Sequence, residues 1–168
     1  MQNYSFDPDY LRDKYRQERD KRLREDGNDQ YQEVSGDFSY FVDDPYIDEA
    51  IERQALTDSY EIVIIGGGFG GVLAASRLKE AGFSDFKIIE KGGNFGGTWY
   101  WNRYPGASCD IESYIYFPLL EETKFIPGKK YTNAPETLEY FDVISEKFGL
   151  NEHCLLYTSD AADDIPRG

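Results

Sequence analysis

The sequence predicts an α/β fold built on a parallel sheet, and three observations lead there. Ile62-Val63-Ile64-Ile65 is a short unbroken apolar run of the kind that forms a strand buried on both faces. A glycine cluster and a helical segment, Val72 to Ala81 closed by Gly82, follow it. A second apolar run, Phe86-Lys87-Ile88-Ile89, then ends on Glu90. Strand, glycine turn, helix and strand make a βαβ unit, whose right-handed crossover sets the two strands parallel. With 168 residues the chain is long enough to bury a core without disulfides or metals.

Ahead of that unit, residues 1–60 read as a charged extension holding 16 acidic and 8 basic residues. Within it, Asp9 to Asp26 has the pattern of an exposed helix stopped by Gly27, with only a thin apolar stripe of Leu11, Tyr15 and Leu23. Acids interleave its bases throughout, so the basic run reads as a solvated face rather than an anion site. From Asn28 to Asp58 the text is loop-like, with Phe38, Tyr40, Phe41 and Tyr46 as anchors for wrapping over a domain. The domain itself is expected over residues 61–153. Its last helix runs from Pro135 to Phe148, with Gly149 as stop signal and Leu138, Phe141, Ile144 and Phe148 on its buried side. Residues 154–168 read as a non-native tail. The run Cys154-Leu155-Leu156-Tyr157-Thr158-Ser159-Asp160-Ala161-Ala162-Asp163 resembles the conceptual translation of a sequencing-library adapter. A natural polar tail is the alternative.

Composition narrows the function classes. A net charge of −14 disfavours sequence-independent nucleic-acid binding, which needs a Lys/Arg surplus. Two cysteines and one histidine, His153, support neither a disulfide framework nor a Cys/His zinc site. No apolar stretch approaches a membrane span and the N-terminus lacks a secretion signal, so a soluble, reduced, cytoplasmic protein is expected.

Eleven of the 16 glycines fall between Gly66 and Gly106, a clustering that suggests close backbone approach to a ligand. Gly66, Gly68 and Gly71 satisfy G-x-G-x-x-G directly after the first strand. Gly66 suits the tight turn, Gly68 lets backbone approach a pyrophosphate, and Gly71 lets the helix press on the sheet. A pyrophosphate would then sit at the helix N-terminus, where free N–H groups and the helix dipole favour an anion. Glu90, at the end of the second strand, is placed to accept ribose hydroxyls and disfavours a 2′-phosphate. A Rossmann-like site for FAD or NAD follows from this spacing. Next comes GGTWYWNRYPGASCDIES, Gly96 to Ser113, with two Trp and two Tyr in one loop. Such a loop should fold against something flat and apolar; a flavin ring fits, and an aromatic-rich core loop is the bland alternative.

The segments IIGGGFGG, IIEKGG and GGTWYWNRYPGASCDIES together resemble the N-terminal FAD-binding region of Baeyer–Villiger monooxygenases, flavoproteins that use NADPH and dioxygen. The likeness runs from about Leu11 to Asn151. It implies that Gly66, Gly68, Phe69 and Gly71 cradle the FAD pyrophosphate and that Glu90 holds the ribose. It places Gly96, Gly97, Thr98 and Trp99 along the flavin, with Asp110 and Tyr116 closing that side. Ser108, Cys109 and Asp110 would face NADPH, and Asp110 would serve catalysis by pairing with an active-site arginine outside this chain. The implied reaction inserts oxygen beside the carbonyl of a small-molecule ketone, giving an ester or lactone. The family's F-x-G-x-x-x-H-x-x-x-W motif and second glycine motif are not in this sequence. The resemblance therefore implies an N-terminal fragment, inactive alone and with weak or no FAD retention. An N- or S-oxidising flavin monooxygenase and a non-catalytic nucleotide-binding module are the other readings of the same residues.

Overall fold

A computed structural model describes residues 6–31, 34–49 and 56–157. The chain forms two compact units, Met1–Ser39 and Tyr40–Gly168.

In the first unit, α1 (Pro8–Asp20) starts where Asp7 accepts hydrogen bonds from the N–H groups of Asp9 and Tyr10, with Pro8 in the first turn. Arg12–Asp9, Arg16–Asp13 and Lys21–Glu18 are neighbours on its surface. None of its residues is buried. The helix stops six residues before the expected Asp26. Arg24 there makes two hydrogen bonds with Asp26, an i,i+2 pairing that helical geometry does not allow.

The second unit contains β1 (Ile62–Ile65), α2 (Phe69–Glu80) and β2 (Phe86–Glu90). Then come three single turns, α3 (Thr98–Trp101), α4 (Ser113–Tyr116) and α5 (Leu120–Thr123), followed by α6 (Ala134–Phe148) and β3 (Cys154–Leu156). The sheet is parallel in the order β1-β2-β3, with Ile62 opposite Phe86 and Ile88 opposite Cys154. The fold is Rossmann-like α/β. Val72 and Ala75 of α2, Phe86 and Ile88 of β2, and Tyr140, Phe141 and Ile144 of α6 form its centre. Gly149, at φ +62°, ends α6 in the left-handed conformation that glycine adopts without a Cβ penalty.

Two expectations are corrected by this arrangement. First, β1 is not buried on both faces. Ile62 and Ile64 pack on the core, whereas Val63 and Ile65 are 49% and 86% exposed, because the described helices cover one face of the sheet. Ile64 and Ile88 are among the residues the pleat turns inward. Second, the buried side of α6 is Thr137, Tyr140, Phe141 and Ile144, with Leu138 and Phe148 at its margins. The sheet also holds a third strand, which falls within the segment read as a tail. Cys154–Leu156 pairs with Ile88–Glu90, and the Tyr157 N–H donates to the Glu90 carbonyl at 2.8 Å. The rest of that tail, residues 158–168, lies outside the described residues. No helix among the described residues is long and apolar enough to cross a membrane.

Candidate functional site

The chain leaves β1 through Gly66 at φ +97°, a conformation that L side chains rarely adopt. Its N–H donates to the Ile89 carbonyl at 2.7 Å, so the turn is tied to β2 as well as β1. Gly71 lies one helical turn further on, and a Cβ there would sit 1.9 Å from the Gly66 carbonyl oxygen. Helix α2 starts at Phe69 without any side-chain cap. Its first N–H groups have no intrahelical acceptors, which leaves an anion-binding end beside the turn.

A second glycine turn meets the first. The Gly96 N–H donates to the Gly67 carbonyl at 3.1 Å, and a Cβ on Gly97 would approach the Gly68 Cα to 2.7 Å. Gly66, Gly68, Gly71, Gly96 and Gly97 thus form one double loop at the ends of the parallel strands, the position where ligands bind in open α/β sheets. Glu90 closes it from below and is only 4% exposed. One carboxylate oxygen accepts the Gly67 N–H and the other accepts the Gly92 N–H at 2.7 Å. A carboxylate offers about four acceptor positions, so it can still take two further donors.

Beyond α3, the segment Ala107–Ser113 is held against Lys130–Ala134. Cys109 N–H donates to the Thr132 carbonyl, Ala134 N–H to Ala107, and Ser113 N–H to Lys130, each at 2.8 Å. Underneath, the hydroxyls of Ser113 and Thr132 lie 2.9 Å apart, and Thr137 is 3.3 Å from Thr132. Cys109 Sγ reaches the same threonine at 3.4 Å. This buried network supports the floor of a cavity of about 440 Å³, lined by Thr98, Trp99, Ser108, Cys109, Asp110 and Tyr116 among others. Trp99 Nε1 donates to the Tyr116 hydroxyl at 3.2 Å across its wall. Asp110 is exposed there and makes no hydrogen bond or ion pair among the described residues.

The predicted residues therefore fall into two groups. Thr98, Trp99, Ser108, Cys109, Asp110 and Tyr116 share the cavity, while the glycines and Glu90 form the double loop next to it. Phe69 is divided between the two tasks. Its backbone opens α2, but its ring stacks on Phe141 at 4.3 Å and meets Tyr116 edge-on at 5.3 Å. The aromatic loop also partly buries itself, since Trp99 and Tyr100 belong to the core.

Sequence reading missed Gly67, Gly92, Thr132 and Asp44. Gly67 had a signal in the triple glycine: a Cβ there would sit 2.8 Å from the Phe95 ring and 2.9 Å from Glu90 Oε2. Asp44, in the segment read as loop, accepts from Tyr100 Oη at 2.6 Å and from the Gly93 N–H at 2.9 Å. Burial, and then the bond to Asp44, pushes the Tyr100 phenol up to about 12.

Comparison with known proteins agrees with this geometry. The NAD(P)-binding Rossmann-like domain family matches residues 64–125. A Baeyer–Villiger monooxygenase of Streptomyces coelicolor is 44% identical over 149 residues, covering 89% of this chain and 25% of that protein. This chain is homologous to the N-terminal quarter of Baeyer–Villiger monooxygenases. It spans about a quarter of the length of the curated relatives it matches. Polycyclic ketone monooxygenase from Thermothelomyces thermophila superposes with a TM-score of 0.72 at 41% identity, covering 88% of this chain and 25% of that one. OTEMO in complex with FAD and NADP superposes with a TM-score of 0.54 at 31% identity, covering 60% and 20%.

Proposed function

We propose that this chain is the FAD-binding segment of a Baeyer–Villiger monooxygenase, an enzyme that uses NADPH and dioxygen to convert a small-molecule ketone into an ester or lactone. The observation that carries this reading is the cavity bearing Trp99, Asp110 and Tyr116 set directly beside the double glycine loop. The residues fit the cofactor. Both turns present bare backbone, α2 presents an uncapped N-terminus, and Glu90 keeps acceptor capacity for ribose hydroxyls.

When bound, FAD supplies hydride acceptance from NADPH and the activation of dioxygen. The chain supplies the surroundings. Gly68 and the start of α2 would hold the pyrophosphate through N–H groups, with Gly66 making the tight turn and Gly71 keeping the helix close. Glu90 would orient the ribose. Gly96, Gly97, Thr98 and Trp99 would carry backbone along the flavin, and the Trp99–Tyr116 bond keeps that wall in place. Asp110, without a hydrogen bond or ion pair among the described residues, would offer its carboxylate to a cationic side chain supplied from elsewhere in the enzyme. Ser108 and Cys109 line the same side, toward NADPH. Cys109 bonds Thr132 beneath the floor and packs there rather than acting as a nucleophile.

The test is to titrate the 168-residue chain with FAD by flavin fluorescence quenching and with ADP by calorimetry. Saturable FAD binding that ADP competes away and that Glu90→Arg abolishes is expected, with FAD washing off during gel filtration. Absence of saturable binding for both nucleotides would refute the reading. Ketone-dependent NADPH oxidation by this chain alone would refute its dependence on the rest of an enzyme.

A further inference from the structure

Asp44 is 7% exposed and forms no ion pair among the described residues, yet three donors converge on its carboxylate. Oδ2 accepts from the Tyr100 hydroxyl at 2.6 Å and from the Gly93 N–H at 2.9 Å, and Oδ1 accepts the Tyr46 N–H at 2.9 Å. The Tyr100 hydroxyl lies 2.9 Å from the same Gly93 nitrogen, which closes a three-membered polar cluster. A second observation places the same segment against the same glycine. A Cβ on Gly93 would fall 2.3 Å from Ile47 Cγ2. Arg103 completes the attachment, its guanidinium 4.1 Å from the Tyr46 ring and 4.4 Å from the Tyr100 ring.

Gly93 is the immediate neighbour of Gly92, whose N–H holds one Glu90 oxygen while Gly67 holds the other. From these contacts we infer that Asp44 is a positioning residue for the nucleotide site, acting through Gly93 and the Gly92 N–H on Glu90 and the first glycine turn. This inference rests on the proposed FAD site. The physical reason is the stiffness of a short buried chain of charge-assisted bonds. A turn held at Gly93 by a carboxylate cannot swing the Gly92 N–H away from Glu90, so the Glu90 carboxylate stays aimed at the turn. Unpinning Gly93 lets that carboxylate sample other rotamers, and part of the binding energy is then used to re-order it.

Asp44→Asn is the variant, because it keeps size while removing the charge and, in either amide orientation, sets an NH2 against at least one donor N–H. Two readouts are made on the 168-residue chain. Amide exchange is followed at Gly93, Gly67 and, as a reference for global opening, Ile88. FAD and ADP dissociation constants are measured for wild type, Asp44→Asn, Glu90→Gln and the double variant. Exchange at Gly93 and Gly67 should speed up by about tenfold relative to Ile88, and both nucleotides should bind about five- to tenfold more weakly. The double variant should bind no more weakly than Glu90→Gln, because both changes act on one carboxylate. If Asp44→Asn fails to fold, Ile47→Ala loosens the same contact and takes its place in both readouts. Unchanged Gly67 exchange, unchanged affinity, or additive losses in the double variant would each overturn the inference while leaving the FAD reading intact. Failure of wild type to bind either nucleotide would overturn the FAD reading and the inference with it.

Discussion

Two adjacent glycines of the turn should respond to alanine with opposite signs. At Gly71 the added Cβ would lie 1.9 Å from the Gly66 carbonyl oxygen and 3.0 Å from its carbon. Both are backbone atoms of a turn held at φ +97°, so no flexible side chain can move aside. Reaching ordinary contact requires α2 to shift by about 1.5 Å from the turn, and overpacking of this kind costs roughly 1–3 kcal/mol. The rigidity of both partners puts Gly71→Ala near the upper end, about 3 kcal/mol. At Gly70 nothing lies within 4 Å of the added methyl, and the residue sits inside α2 on the exposed side. There alanine should stabilise by about 0.5–1 kcal/mol through helix propensity and a less flexible unfolded chain. For a chain of this size, 1 kcal/mol corresponds to about 2–4 °C. Thermal unfolding followed by circular dichroism should therefore show Gly71→Ala melting about 6–12 °C lower and Gly70→Ala about 1–4 °C higher. FAD affinity should fall only in the first. Equal melting temperatures for the two variants would show that the glycine pattern does not reflect helix-to-turn contact.

Tyr100→Phe should lower stability at pH 7 by about 1.5–3 kcal/mol, the range for a hydrogen bond to a charged group. The Tyr100 phenol is raised to about 12, so its contribution is complete below pH 10 and is lost as pH climbs from 10 to 12. Urea midpoints of wild type and Tyr100→Phe should accordingly converge between about pH 10 and pH 12, and a constant gap would refute the shift. Asp110→Ala should leave the melting temperature and FAD affinity of this chain unchanged within about 0.5 kcal/mol, because an exposed carboxylate without a partner contributes little to folding. A clear loss of stability would identify Asp110 as a local structural acid. Lys124 holds φ +59° on the surface at the end of α5. Lys124→Gly should relieve that conformation and raise stability by up to about 1 kcal/mol, measured by urea denaturation; destabilisation would refute it.

The parallel βαβ unit was legible in the sequence because its signals are local. An apolar run, a glycine triplet and a helical period each depend on neighbours a few residues away. The glycine turn was legible for the same reason, since Gly66 and Gly71 answer steric demands made within one turn of chain. Position along the chain could not say which side of β1 would be covered. Ile62 and Val63 are equally apolar, and only the placement of α2 and α6 on one face separates them. Nor could it show that Cys154–Leu156 would pair with β2, because a three-residue strand is chosen by the open edge beside it. Asp44 was illegible for a related reason. It sits in an acidic extension among many exposed carboxylates, and what distinguishes it is burial against Tyr100 and Gly93, some fifty residues away. Local sterics and periodicity are written into adjacent residues, whereas burial and polar pairing depend on which distant surfaces close over them, and that was decided only in the tertiary structure.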